Sequence, residues 1–385
     1  MIRNIFISLD VGSYLTKIVV GEFLKGEKNP KILGIGESET RGIRRGYVTN
    51  FSDAVNSIKN AINIAEKNSN IKIKNAFVSI NGISLRSEIS VGSAIISKAD
   101  GEITNLDINK AIDDSENNLN LNNKKIIQKF PISFRVDSKE ILGKLEGVTG
   151  IKLEAKVLFI TYSTQHLEEL LDVISEAGIE ILDIIPAPIA GSCIALSEKQ
   201  KIVGSALVNI GSEITSLVVF ENDLPIYVYS FPIGSADITH DIALGFKIPL
   251  EKAESLKLGN IIENYSQKKI DQIIEARISD IFELIENHLK KIKRNGLLPA
   301  GIVFIGGGSN VNGLEEYSKS VLNLPSRIGN LEIFSKTKLR DPAYLVSLGI
   351  LNFYYENEKY QNISAPSIFK NIKNTLALGL KQLMP

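Results

Sequence analysis

Two stretches of this chain, DVGSYLTKIVV at residues 10–20 and NIGSEITSLVV at residues 209–219, align without a gap. Each reads as strand, Gly-Ser, two variable residues, Thr and strand, which is hairpin chemistry. The repeat predicts a duplicated α/β plan in which two similar lobes face each other and place the two turns across a cleft. Glycine has no Cβ, so backbone N–H groups at such a turn converge on an anion. In the first turn Gly12 and Ser13 supply the nest, while Ser13, Tyr14 and Lys17 add donors and a positive charge. Asp10, at a strand end, is placed to hold Mg²⁺ through water, because Mg²⁺ keeps much of its hydration shell. A plain hairpin turn accounts for either stretch taken alone. The matched pair, together with a third cluster Gly306-Gly307-Gly308-Ser309 after the apolar GIVFI, favours a phosphate chain clamped from both sides. Three glycines between strand and helix leave bare backbone for a flat base or ribose. Neither a Rossmann G-x-G-x-x-G nor a Walker pattern occurs.

At 385 residues the chain is long for one hydrophobic core. Lys plus Arg equals Asp plus Glu at 44 each, so no global basic field argues for nucleic acid. Cys193 is the single cysteine and sits in the apolar AGSCIAL. It excludes an intramolecular disulfide, fits a reducing compartment and reads as packing rather than as a catalytic thiol. His166, His240 and His288 are widely separated, so a zinc site is not expected. The opening MIRNIFISLD reads as a strand rather than a signal peptide, and no apolar run reaches the length of a membrane span. A cytosolic protein is expected, with any membrane contact left to the C-terminus.

Around the two hairpins the pattern divides the chain. Residues 51–68 place Phe51, Val55, Ile58, Ile62 and Ala65 at helical spacing, and 74–81 close the first block as a strand. Residues 83–161 look like an α+β insertion, with three strands around one polar helix beginning near Leu106. The first lobe is therefore 1–82 with 162–197, and the second is 198–233 with 299–355. A mainly helical subdomain fills 234–298, and a last helix lies near 341–354. Residues 356–366 are polar and read as a linker. Beyond them, 367–385 return to helical periodicity. At 100° per residue Phe369, Ile372, Leu376, Leu380 and Leu383 share one stripe, with Lys370, Lys373 and Lys381 beside or opposite it. That is the pattern of an interfacial membrane helix; a core helix docking back on the domain is the other reading.

These motifs resemble the actin/Hsp70/sugar-kinase superfamily and, within it, the FtsA family of bacterial cell-division proteins. The resemblance also runs through RRGYVTNFSDAVNSIKNAINIAE (44–66), AFVSINGISLRS (76–87), GVTGIKLEAKVLFIT (147–161), FPIGSADITHDIA (231–243) and LPSRIG (324–329). It implies an actin-like ATPase fold with an inserted subdomain of SHS2 type at 83–161, and ATP with Mg²⁺ between the lobes. Asp10, Gly12, Ser13, Tyr14 and Lys17 then fall on the first phosphate motif. Asn209, Gly211, Ser212, Glu213 and Thr215 fall on the second, and Gly306, Gly307, Gly308 and Ser309 on the adenosine motif. Gly234 follows the second hairpin as in the family. Glu254 and Lys257 fall where the superfamily sets side chains around the adenosine, although an exposed helix face explains them equally well.

The resemblance further implies head-to-tail polymers, a membrane-targeting C-terminal helix and attachment of the tubulin-like protein FtsZ to the cytoplasmic membrane at the division site. The FtsZ C-terminal tail would bind the 234–298 subdomain, where Arg277 matches a basic position. Other division proteins would bind 83–161. Asn209 stands where hydrolysing members usually have Asp, and an amide cannot take up a proton as a carboxylate does. ATP is therefore expected to turn over slowly at most, with Glu213 the one candidate substitute base if it points inward. A pilus-assembly protein of PilM type and, further off, a sugar-kinase-like phosphotransferase are the competing readings.

Overall fold

The computed structural model describes residues 4–27, 29–141, 143, 145, 147–260, 265–329 and 341–361, with side chains as far as residue 356. The expected membrane helix at 367–385, and with it Phe369, Ile372, Leu376, Leu380 and Leu383, lies outside the described residues.

Strands β1 (Asn4–Val11) and β2 (Leu15–Phe23) form the first hairpin, and β3 (Lys31–Glu39) adds antiparallel to β2. A small hairpin, β4 (Ile43–Arg44) and β5 (Tyr47–Val48), leads into helix α1 (Phe51–Ser69). Asn50 caps α1 by accepting from the Asp53 N–H, and Asn70 ends it in a left-handed conformation at φ 55°. Ala54, Val55, Ile58, Ala61, Ile62 and Ala65 recur at helical spacing and are buried. Strand β6 (Asn75–Ile80) then returns parallel to β1.

The insertion follows as β7 (Arg86–Ile95), α2 (Asn105–Asn117), β8 (Lys124–Val136), β9 (Lys139–Ile141) and β10 (Lys152–Ser163). It packs α2 on its sheet around a core of its own that includes Ala111, Ile112, Leu153, Val157 and Phe159. Helix α3 (Thr164–Glu176) and β11 (Glu180–Pro186) complete the first lobe.

The second lobe begins with α4 (Ala187–Ala195), α5 (Glu198–Val203) and the strands β12 (Ser205–Ile210), β13 (Thr215–Glu221) and β14 (Leu224–Phe231). Helices α6 (Ser235–Phe246), α7 (Leu250–Lys257) and α8 (Gln267–Lys291) come next. Then follow β15 (Ile302–Ile305), a 3-10 turn at Gly307–Asn310, α9 (Leu314–Leu322), β16 (Ser326–Ile328) and α10 (Leu345–Gln361).

The two sheets repeat one topology. The first has the order β11-β6-β1-β2-β3, and the second begins β16-β15-β12-β13-β14. In each, a three-strand antiparallel meander is extended on its first strand by two parallel strands. The second sheet does not stop at β14. It continues into the insertion as β7-β10-β8-β9, joined by the single pair Tyr229↔Arg86, to make nine strands. One core covers the first sheet and the face of the second that meets α4 and α10, while α6, α7, α8 and α9 cover the opposite face.

Several features depart from the sequence reading. Strands β3, β4, β5, β9 and β16 and helix α5 were not expected. Helix α10 runs to Gln361 rather than ending near 354, so it takes up the first part of the stretch read as a linker at 356–366. Its residues in that stretch, ENEKYQ, are polar but include good helix formers, and polarity alone does not end a helix.

Candidate functional site

Both Gly-Ser turns are built alike. Asp10 pairs with Lys17 and Val11 with Thr16 across the first hairpin; Asn209 pairs with Ser216 and Ile210 with Thr215 across the second. Each turn closes on one backbone bond, from Gly12 N to the Leu15 carbonyl at 3.1 Å and from Gly211 N to the Ile214 carbonyl at 2.8 Å. A Cβ on Gly12 or Gly211 would stand 2.9 Å from that same carbonyl oxygen, so both positions demand glycine for one reason. The N–H groups of Ser13 and Tyr14, and of Ser212 and Glu213, lie at the hairpin tips outside the ladders. Tyr14 is exposed.

Behind the first turn, Asp10 is nearly buried. It accepts the Ser79 hydroxyl at 2.6 Å and faces the Lys17 ammonium at 3.4 Å. Lys17 also donates to the Ala343 carbonyl at 2.6 Å and lies over the Tyr344 ring, which ties the first hairpin to the segment leading into α10. Burial and the neighbouring Glu37 raise the Tyr344 hydroxyl far above an ordinary phenol, so it stays protonated. Neither Ser79 nor the 343–344 segment was singled out in the sequence, because nothing local marks a residue brought in from a distant strand.

The second turn is locked to the helix that follows its meander. Ser235 N donates to the Gly211 carbonyl at 2.9 Å and Ala236 N to the Ser212 carbonyl at 2.8 Å. A side chain on Gly234 would come within 2.3 Å of the Ser212 carbonyl oxygen. Thr215 is buried and donates to the Ile233 carbonyl at 2.9 Å.

Glycines 306 and 308 meet this turn from the other side. At φ 87° a Cβ on Gly306 would stand 2.4 Å from both Asn209 Oδ1 and the Ile210 carbonyl oxygen, and one on Gly308 would strike Ile210 Cγ2. The sequence reading assigned all three glycines to bare backbone under a base. The geometry gives two of them to packing against β12, and only Gly307 faces open space, with Ala343 Cβ at 4.0 Å its one neighbour. Ser309 is fully buried and turns back to donate to the Gly306 carbonyl at 2.7 Å.

Of Glu254 and Lys257, only the lysine leaves the exposed helix face; the Glu254 side chain stays 41% exposed. Lys257 is 7% exposed, pairs with Glu254 at 2.7 Å, and donates to Thr239 Oγ1 at 2.9 Å and to the Ser235 carbonyl at 3.2 Å. The pair therefore sits at the start of α6, beside Gly308, whose missing Cβ faces Ser235 Cβ at 3.0 Å. The site residues of the second lobe thus converge on one end of β12.

Glu213 has no free oxygen. Oε2 accepts from Arg45 N at 2.7 Å and Oε1 pairs with the Arg44 guanidinium at 2.7 Å, both on the β4–β5 hairpin of the first lobe. As placed, it braces the two lobes, with each oxygen holding one contact from the β4–β5 hairpin. Arg277 lies apart from all of this, on α8, held by Asp241 of α6 at 2.7 Å and by Asp280 at 3.1 Å. The hydrogen bond to Asp241 raises its already high pKa. Cys193 donates to the Ile189 carbonyl, and burial pushes its thiol up, which suits packing and not nucleophilic chemistry.

Compared with known proteins, residues 206–349 match the model of the cell division protein FtsA family, and residues 82–161 match that of the SHS2 domain inserted in FtsA. The chain belongs to the FtsA family. Cell division protein FtsA of Bacillus subtilis (strain 168) is 28% identical over 93% of this chain and 85% of its own length. That of Borreliella burgdorferi is 28% identical over 99% and 98%, and that of Escherichia coli K12 is 23% identical over 99% and 97%. Among solved structures, the PilM–PilN type IV pilus biogenesis complex superposes with a TM-score of 0.66 at 17% identity, over 90% of this chain and 97% of the other. MreB5 of Spiroplasma citri bound to ADP gives 0.54 at 14% identity, over 94% and 99%. The fold is thus the actin-like ATPase fold carrying FtsA's own insertion, and the chain is a cell-division protein of that actin-like family.

Proposed function

We propose that this FtsA family member binds ATP with Mg²⁺ between its two Gly-Ser turns, polymerises, and holds FtsZ filaments to the inner face of the cytoplasmic membrane at the division site. The observation that carries the nucleotide reading is the pair of turns in one register at equivalent places of a duplicated fold. The residues fit the group. Four tip N–H groups lie outside the ladders, Lys17 offers a cation, and Asp10 is an acceptor for a hydrated Mg²⁺. Gly307 offers open backbone beside the Glu254–Lys257 pair.

When bound, the triphosphate supplies negative charge that both turns engage together. Asn209, an amide, cannot take up a proton as a carboxylate does, and Glu213 is turned toward Arg44 and Arg45, so ATP acts as a conformational ligand that is hydrolysed slowly at most. The FtsZ C-terminal tail docks on the 234–298 subdomain near Arg277, and other division proteins dock on the 83–161 insertion. Phe369, Ile372, Leu376, Leu380 and Leu383 form the membrane face of the C-terminal segment. One such helix holds a membrane weakly, and polymerisation multiplies it through effective concentration. Among the described residues no helix is long and apolar enough to cross a membrane.

Sedimentation with anionic vesicles tests this reading. The full chain and a 1–365 truncation would be compared with ATP, ADP or no nucleotide. Sedimentation of the full chain alone, strengthened by ATP, is expected. If both forms stay in the supernatant under every nucleotide, the membrane-adaptor reading is lost.

A further inference from the structure

The inserted subdomain leaves the first lobe through Asn81–Ile83 and returns at Tyr162, and both crossings meet at one small turn. That turn joins β4 to β5: Arg44 pairs with Tyr47, and Arg45 and Gly46 between them lie at φ 50° and 80°. Two successive residues at positive φ make a tight hairpin turn whose shape is set by the strand twist. On one side, the turn presents the Arg45 N–H and the Arg44 guanidinium to the Glu213 carboxylate at the tip of the second Gly-Ser turn, each at 2.7 Å.

On the other side it meets the roots of the insertion. The Tyr162 hydroxyl donates its proton to the Gly46 carbonyl at 3.1 Å, shared with the Asn81 carbonyl at 3.2 Å. Ile83 N approaches the Arg45 carbonyl at 3.4 Å. There is no slack here. A Cβ on Gly46 would lie 2.4 Å from Gly82 Cα, and one on Gly82 would lie 2.1 Å from the Tyr162 hydroxyl oxygen. Tyr162 itself is fully buried, and burial raises its phenol well above the usual value, so it remains a donor.

We propose that the Arg44–Tyr47 turn is a relay through which occupancy of the second Gly-Ser turn sets the orientation of the inserted subdomain. Phosphate at that turn adds negative charge beside Glu213 and competes for the same arginine. A shift of the carboxylate pulls on the Arg45 N–H, and the turn can move only with Gly46, Tyr162 and the 81–83 crossing, because its contacts are rigid and mutually closed. Coupling of this kind needs a contiguous element that both sites bias, and a two-residue turn packed on both sides is one. The relay rests on the nucleotide reading above.

Two measurements on the full chain test it. Equilibrium dialysis reports ATP binding directly. Spin labels at Ile64→Cys on α1 and Ile151→Cys on the insertion, both exposed, report the insertion against its own lobe in a Cys193→Ala background. With ATP and Mg²⁺ bound, the label distance is expected to shift relative to the nucleotide-free chain. Tyr162→Phe should abolish the shift with ATP still bound, and Arg44→Ala, compared at an ATP concentration at which dialysis shows it loaded, should reduce it. Arg44 is largely exposed, so its variant reads out even if the buried Tyr162→Phe unfolds. An unaltered shift in a folded variant overturns the relay, as does the lack of any shift in a parent chain that dialysis shows to be loaded. No ATP in dialysis overturns the nucleotide reading and the relay together.

Discussion

Asn209 offers a sharp test of the duplicated site, because its counterpart in the first hairpin shows what a carboxylate there requires. Asp10 stands opposite Lys17 and beside Ser79, and it bonds to both. By the same register Asn209 stands opposite Ser216 and beside Ile305. Neither supplies a cation, and the buried Ser216 hydroxyl has no hydrogen-bond partner, Asn209 included. Asn209→Asp therefore puts a carboxylate into a nearly buried position without the two groups that sustain its twin. An uncompensated polar group in such a place costs about 1–3 kcal/mol, and more when charged.

The pH dependence follows from the sign of the shift. Burial raises the folded-state pKa of the new carboxyl above the unfolded value of about 3.9. The penalty is then absent at low pH, where both states are protonated, and grows as pH rises through the folded pKa. Urea unfolding of variant and parent, compared at about pH 4.5 and pH 8, should show a difference that widens with pH. Turnover of ATP should rise by less than the roughly 10²–10⁴-fold of a well-positioned base, since nothing nearby orients the new group. An equal loss at both pH values, or none, would refute the claim that the site lacks partners for a charge.

Gly306→Ala must hold a Gly-only backbone conformation and push Cβ into Asn209 and Ile210; a loss of about 1–3 kcal/mol or more in urea unfolding is expected. Gly307→Ala, facing open space, should stay within about 0.5 kcal/mol of the parent. Asp107 caps α2 inside the insertion. Burial opposes its charge, but hydrogen bonds from Thr104 and Ser97 prevail and hold its pKa at about 2. Its contribution is complete above the usual carboxylate pKa and is lost as pH falls toward 2, and Asp107→Asn should cost the insertion about 1 kcal/mol near neutrality by thermal unfolding. Arg277→Ala should weaken binding of an FtsZ-tail peptide in fluorescence anisotropy while costing only about 1 kcal/mol of stability, as fits a partly exposed ion pair.

The repeated hairpin was legible because both halves of its signal are local: alternating strands and a Gly-Ser tip. The insertion was legible for a similar reason, since a polar helix framed by three strands interrupts an otherwise repeated plan. Strand β3, KILGIGESE, was missed because Gly34 and Gly36 break the pattern that marks a strand. The structure shows why they are there: a Cβ on Gly36 would lie 2.0 Å from the Ala61 carbonyl oxygen, and one on Gly34 would strike Ser69, so α1 sits directly on the strand. Strand β16 is three residues long, too short for any period. The brace from Glu213 to Arg44 and Arg45 spans 168 positions for its backbone bond, and only the adjacent arginines in RRG hinted at a charged partner. Burial of Lys257 was equally hidden, because its partners Ser235 and Thr239 come from the preceding helix.

Helix α10 carries a consequence for biosynthesis. It packs on α4 and against the first sheet, where Tyr355 stacks on Phe23 at 3.8 Å and Tyr354 on Phe77 at 3.9 Å. The first sheet is thus sealed by a helix that is made only after the strands of the second lobe. While the second lobe is still being translated, Phe6, Phe23 and Phe77 have no cover from α10, although domains generally fold as units in order of synthesis. The lobe that leaves the ribosome second has its own helices close at hand and can mature earlier. A nascent chain halted before residue 345 should therefore present an apolar face that chaperones recognise, and release past residue 355 should bury it in a single closing step.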